Sequence, residues 1–201
     1  LDVAAVSFKV SNRQVVQHFL AGLGITGEAF AAVCVIIDKR DKIGDEAVLE
    51  LLAGAGVDTE TGQRIIELLD VRGLEHLRAT VGEDNPGYQS LAELVELATA
   101  AGIGERIAID CSVVRGLSYY TGTVWELFDT GGKVPRAIAG GGRYDALMEH
   151  LGGTPTPMVG FGFGDVVIML ILEERGLLPQ LDRGIDEVVY PMSAAEFTVA
   201  N

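Results

Sequence analysis

What most constrains this chain is an interruption. Strand-like sequence stands near its start and again from Glu105 onward, and a run of short amphipathic helices lies between. The opening "VSFKV" alternates as a half-buried strand does. Ser11 or Asn12 can then cap a helix reaching Leu23, with Val15, Val16, Phe19, Leu20 and Leu23 on one face and Gly24 as its stop. A second helix is expected from about Glu28 to Asp38, turning Phe30, Val33, Cys34 and Ile37 inward. After the charged break "DKRDKIG" come "DEAVLELLAGAG", "DTETGQRIIELLDVRG", "LEHLRATVG" and "SLAELVELATAAG", each ended by glycine. Thr59 or Ser90 offers an N-cap, and "NPG" at Asn85 to Gly87 reads as a turn.

Beyond Glu105 the period changes to two. "RIAIDCSVV", "SYYTGTVWELFD" and "PRAIAG" read as strands, with Thr130 to Gly132 as a hairpin turn between the last two. "MVGFGFG" reads as a fourth strand. It flows into "DVVIMLILEERG", a helix apolar almost all round and therefore expected to be buried, with Asp165 as its N-cap. "GLLPQLDRG" is a linker, and "IDEVVYP" begins another strand. Antiparallel-style strands split by a helical insertion predict an α+β fold and not a doubly wound sheet. The expected divisions are 1–43, 44–104, 105–180 and 181–201.

The 201 residues, 48% hydrophobic and 22% charged, can bury a substantial core. A net charge of -14 argues against a general grip on nucleic acid, because the field repels phosphates unless a local basic patch intervenes. No apolar run reaches the roughly 18 to 20 residues that span a bilayer, and the start lacks a signal peptide's basic region, so no membrane is expected. Cys34 and Cys111 sit in apolar surroundings without metal or redox spacing, as buried thiols of a reducing compartment would. His18, His76 and His150 are far apart, and no metal site is expected.

Three stretches carry chemistry. In "VVRGLSYYTGTVWELFD", Arg115 and the pair Tyr119 and Tyr120 interrupt an apolar, β-branched run. Arg115 could clamp a phosphate or carboxylate with its planar fork, or pair with Glu126 or Asp110. In the strand expected over "SYYTGTVWELFD", alternation sends Tyr119 and Tyr120 to opposite faces. In "AIAGGGRYDAL", three glycines mark either a close approach by backbone or ligand, or a tight turn needing positive φ. In "VGFGFGDVV", Gly160, Gly162 and Gly164 bare one strand face, on which a planar ring could lie or a helix could pack.

"VVRGLSYYTG" followed by "AGGGRYDAL" resembles the two histidine-specific signatures of the histidyl-tRNA synthetase family, and "VGFGFGDVVI" resembles its third class II motif. "FKVSNRQVVQHFL" and "VIIDKRDKIG" look like the segments entering that family's helical insertion domain, and "IDEVVYPMS" like the first strand of its anticodon-binding domain. The resemblance implies a class II synthetase-like antiparallel sheet. Residues 1–43 and 105–180 would be catalytic-domain segments, 44–104 the helical insertion and 181–201 a linker with the start of the anticodon domain.

It also implies a ligase that activates histidine with ATP, Mg2+ accompanying the nucleotide, and transfers it to tRNA(His). Such an enzyme would be cytoplasmic and homodimeric. Arg115 would contact the α-phosphate and the histidine carboxylate, Tyr119 and Tyr120 the histidine ring, Gly141 and Gly142 the amino acid, and Gly160, Gly162 and Gly164 the adenosine. One departure stands out: the Glu-Arg pair usual after the last glycine is Val166-Val167 here. The first and second class II motifs are not among these residues, so the 201-residue polypeptide alone is expected to be inactive. The alternative is the paralogous regulatory subunit of ATP phosphoribosyltransferase, which binds histidine without charging tRNA.

Overall fold

The computed structural model describes residues 6–114, 119–131, 134, 136–179, 190 and 192. Strand β1 (Val6–Asn12) ends on the residue that starts the first helix. Asn12 keeps extended backbone, and its side-chain oxygen accepts from the Gln14 amide at 2.9 Å, capping α1 (Arg13–Gly22). Helices α2 (Gly27–Ile37), α3 (Arg40–Gly54), α4 (Thr59–Leu69), α5 (Leu74–Val81) and α6 (Pro86–Ala100) follow. Within α3 the chain kinks at Gly44, whose φ of 79° only glycine adopts readily. Arg40 fastens that kink, reaching Asp45 at 2.6 Å and Asp70 at the end of α4 at 2.7 Å.

After a single 3-10 turn come β2 (Ile107–Ile109), β3 (Thr123–Asp129), β4 (Ala139–Arg143), the one-turn helix α7 (Leu147–His150), β5 (Val159–Phe163) and α8 (Asp165–Glu174). The strands form one sheet in the order β2-β1-β3-β4-β5. Only β1 and β2 run parallel, Phe8 beside Ile107 and Val10 beside Ile109. That follows from the intervening helices, since parallel neighbours need a long crossover. The other pairs are antiparallel. The α+β architecture is the one expected.

Helices and sheet share one core. It runs from Val10, Ile109 and Cys111 through Val15 and Leu20 to Val48, Leu52, Ile65, Leu69, Leu77 and Leu91. Helix α6 approaches α1 so closely that a side-chain carbon on Gly87 would overlap the Val15 backbone.

Several local expectations change. "NPG" is no free turn: Asn85 accepts from the Gly87 and Tyr88 amides and Pro86 is the first residue of α6, where its missing N–H costs nothing. Asp58, not Thr59, caps α4, and Ser90 lies inside α6. Strand β2 has only three residues, and the chain turns sharply at Asp110. Gly140, Gly141 and Gly142 lie within β4 and none has positive φ. Asp165 is the first residue of α8, not its cap. The largest change concerns α8 itself. Ile171 is its one buried side chain, while Val166, Met169 and Leu170 are 65, 52 and 45% exposed. The helix follows edge strand β5, and among the described residues no element covers its outer face. The strand expected at "IDEVVYP" falls mostly outside the described residues, as does part of the hairpin turn at Gly132.

Candidate active site

Beside β4 and β5 the sheet carries a cleft of about 610 Å³. Its floor is made by the absence of side chains. Register sets Gly140 beside Gly162 and Gly142 beside Gly160, so both strands bare the same face. Phe161, Phe163 and Val159 point to the other face, where the Trp125 ring lies 6.0 Å from Phe161.

Over this floor stand three tyrosines. Tyr119 and Tyr120 precede β3 and are not part of it, so alternation does not separate them: their rings lie 4.7 Å apart at 50°. Tyr144, just after β4, meets Tyr119 edge-on at 5.5 Å and Tyr120 at 6.2 Å. Two of the rings use a missing side chain. A methyl group on Gly142 would lie 2.9 Å from two Tyr120 ring carbons, and one on Gly160 would overlap the Tyr144 hydroxyl. At Gly162 nothing lies within 4 Å of such a group, so the floor is open there.

Thr121 ties the two tyrosine segments together. Its amide donates to the Arg143 carbonyl at 2.8 Å, and its hydroxyl accepts from the Asp145 amide at 3.0 Å. The Tyr144 amide in turn donates to the Met158 carbonyl at 2.9 Å, just before β5. Val113 and Val124, both buried, back the Tyr120 ring.

Of the residues singled out in the sequence, Tyr119, Tyr120, Gly160, Gly162 and Gly164 line this single cleft. Gly142 lies beneath Tyr120. Gly141 is oriented otherwise: it faces the Trp125 and Phe161 side, where a side-chain carbon would crowd Phe161. Its neighbour Gly140 takes the place in the cleft wall. Tyr144, not among the residues singled out in the sequence, lines it too; its signal is an aromatic that only Arg143 separates from the three glycines. Arg115 lies outside the described residues. Asp110, one of its two candidate partners, is engaged by Arg72 at 3.1 Å and Lys9 at 3.4 Å. Glu126 sits beside Gly140 in the sheet and shares its face.

Chemically, a glycine floor admits a flat ring into contact with backbone, and the tyrosines supply aromatic edges and hydroxyls that donate or accept. Among the described residues no three His, Cys, Asp or Glu side chains converge to cage a metal ion. No described helix is long and apolar enough to cross a membrane. Both cysteines are free and buried; burial pushes the Cys111 thiol up to about 12, with the Asp110 carboxylate adding to the rise.

The family model for histidyl-tRNA synthetase matches residues 1–164. The chloroplastic/mitochondrial histidine–tRNA ligase of Arabidopsis thaliana is 42% identical over 94% of the chain and 39% of its own length. The histidine–tRNA ligase of Natronomonas pharaonis is 37% identical over 94% of the chain and 44% of its own length. The chain thus spans about two fifths of the length of the curated relatives it matches. Among solved structures, histidyl-tRNA synthetase from Nostoc sp. PCC 7120 superposes with a TM-score of 0.74 at 30% identity, over 87% of this chain and 43% of that one. A Bacillus halodurans protein described as an ATP phosphoribosyltransferase regulatory subunit/histidyl-tRNA synthetase has a TM-score of 0.67 over 82% of this chain and 44% of that one. At 21% identity it shows the fold alone.

Proposed function

We propose, from the premise that this chain belongs to the histidyl-tRNA synthetase family, that its cleft holds histidine and ATP while histidyl-adenylate forms. The observation that carries the reading is the meeting of Tyr119, Tyr120 and Tyr144 with the glycine floor of β4 and β5 in one cleft. The tyrosines would enclose the imidazole, a phenolic hydroxyl bonding a ring nitrogen. The floor, open at Gly162 and bounded by Gly164 where α8 begins, would receive the adenosine. The reaction is attack of the histidine carboxylate on the α-phosphorus with loss of pyrophosphate. Two anions must approach, and Arg115, as the resemblance implies, would be the fixed cation that stabilises the charge building up between them. Mg2+ would arrive with the nucleotide, held through its phosphates as such ions commonly are. In a polypeptide of the length of the curated relatives, segment 44–104 would be the helical insertion, tRNA(His) the acceptor of the histidyl group, and the assembly a cytoplasmic homodimer.

The ligase is favoured over the regulatory-subunit reading by identities of 37 to 42% to histidine–tRNA ligases. The likeness to the Bacillus halodurans protein reaches 21%. The test is histidine-dependent pyrophosphate exchange, with wild type and Arg115→Ala in a polypeptide of the relatives' length. Arg115→Ala should lower the exchange rate far more than it lowers histidine affinity, because its work is done in the transition state. Exchange unaffected by that substitution would remove Arg115 from the mechanism. Tyr119→Phe and Tyr120→Phe each delete one hydroxyl. A lost hydrogen bond to the neutral ring should weaken histidine binding by about 0.5 to 1.5 kcal/mol, read by titration calorimetry. Two unchanged affinities would place ring recognition elsewhere.

A further inference from the structure

We propose that Asp110 is a positioning residue that couples the helical run to the tyrosine wall of the cleft, with Arg72 holding it in place. Asp110 is 3% exposed, at the point where β2 ends. Its carboxylate accepts from the Ser112 amide at 2.9 Å and the Ser112 hydroxyl at 2.5 Å, and pairs with Arg72 and Lys9. Backbone bonds meet at the same place. The Asp110 amide donates to Val10 of β1, the Cys111 amide to Val71, and the Gly73 amide to Ile109. Arg72 belongs to the link between α4 and α5, and its guanidinium also donates to the Leu69 and Val71 carbonyls at 2.7 and 2.9 Å. One carboxylate therefore joins sheet, helical run and the loop from Cys111 to Val114.

That loop leads to the cleft. The Val113 amide donates to the Asp110 carbonyl at 3.2 Å, and the Val113 side chain packs with Tyr120 and Val124, against which Tyr119 and Tyr144 also rest. Asp110 itself is too remote to touch a ligand on the floor: β2 and β4 are three strand spacings apart, roughly 14 Å. Its influence must pass through Val113. Loss of Arg72 would leave the buried carboxylate with the more distant, part-exposed Lys9 as its one cation, so Asp110 and the loop it anchors should shift. Only the identity of the ligand rests on the function proposed above; the coupling itself does not.

The experiment labels the tyrosine rings of this polypeptide with ¹³C and compares wild type, Arg72→Gln, Asp110→Asn and Arg78→Gln by NMR, with and without histidine. Arg72 is about half exposed and its substitution should leave the chain folded, so it carries the test if Asp110→Asn unfolds. Arg78, paired with Glu75 and Glu83 in the same helical run, is the control. Arg72→Gln should move the Tyr120 ring resonances without ligand and weaken histidine binding roughly fivefold, within the range of coupling between remote sites. Arg78→Gln should change neither. Ring resonances of Arg72→Gln that coincide with wild type would overturn the proposal, whatever its melting temperature does. If the rings shift but wild type does not bind histidine, the coupling stands and the ligand assignment falls.

Discussion

A methyl group at Gly142 and one at Gly162 should have different effects, although both glycines bare the same sheet face. At Gly142 it would meet the Tyr120 ring and, at 2.7 Å, the Thr123 carbonyl oxygen; at Gly162 it meets nothing within 4 Å. Gly142→Ala should therefore displace Tyr120 and destabilise the chain by about 1 to 3 kcal/mol, as overpacking does. Gly162→Ala should leave the melting temperature unchanged and weaken ATP binding by filling the floor. Thermal melts beside nucleotide titrations read both; a destabilised Gly162→Ala would mean the floor is not open. The cysteines give a second residue-scale expectation. Burial raises both thiols above their ordinary pKa, so at pH 8 the reactive thiolate is scarce in the folded chain. Neither should be alkylated by iodoacetamide until denaturant is added, as intact mass would show. Modification of native Cys111 would contradict its place in the core.

At the scale of elements, the approach of α6 to α1 reverses a familiar sign. Glycine to alanine inside a helix usually stabilises by about 0.4 to 1 kcal/mol, through the lost freedom of the unfolded chain. Gly87 is helical, yet an added carbon would lie 2.9 Å from the Val15 α-carbon and closer still to its amide. Gly87→Ala should instead cost roughly 1 to 3 kcal/mol, because backbone cannot yield as a side chain can. Urea unfolding of this variant decides it, and a rise in midpoint would show that the two helices are not in contact there. Helix α8 teaches the opposite lesson. Its composition promises burial, but only Ile171 is fully buried, and Arg175 anchors its far end to Asp129.

Across the whole molecule, β5 is the feature that bears on association. Among the described residues it is an edge strand, carrying Val159, Phe161 and Phe163 at 73, 70 and 63% exposure on the face away from the cleft. An uncharged edge with such side chains invites pairing with further strands. Expressed as these 201 residues alone, the polypeptide should self-associate in sedimentation runs and show no histidine-dependent pyrophosphate exchange. A polypeptide of the relatives' length carrying it should be active and free of that association. Exchange by the shorter polypeptide at a rate near that of the longer one would show that the described cleft suffices.

Sequence alone determined the alternation of strand and helix and the bare face of β5, because both are periodic and local. Asn12 as a cap was legible for the same reason, and so were the signatures that point to the family. Local pattern failed where neighbours decide. Tyr119 and Tyr120 looked like strand residues on opposite faces, but the chain turns at Asp110 and the pair meets Tyr144 on one side of the sheet. The three glycines allowed either a close approach or a tight turn; β4 is extended through them, and Gly142 and Gly160 make room for two rings. That Gly140 lines the cleft while Gly141 turns away depends on the register of β4 against β5. Register is set by pairing between segments distant in the chain, and only the folded sheet contains it.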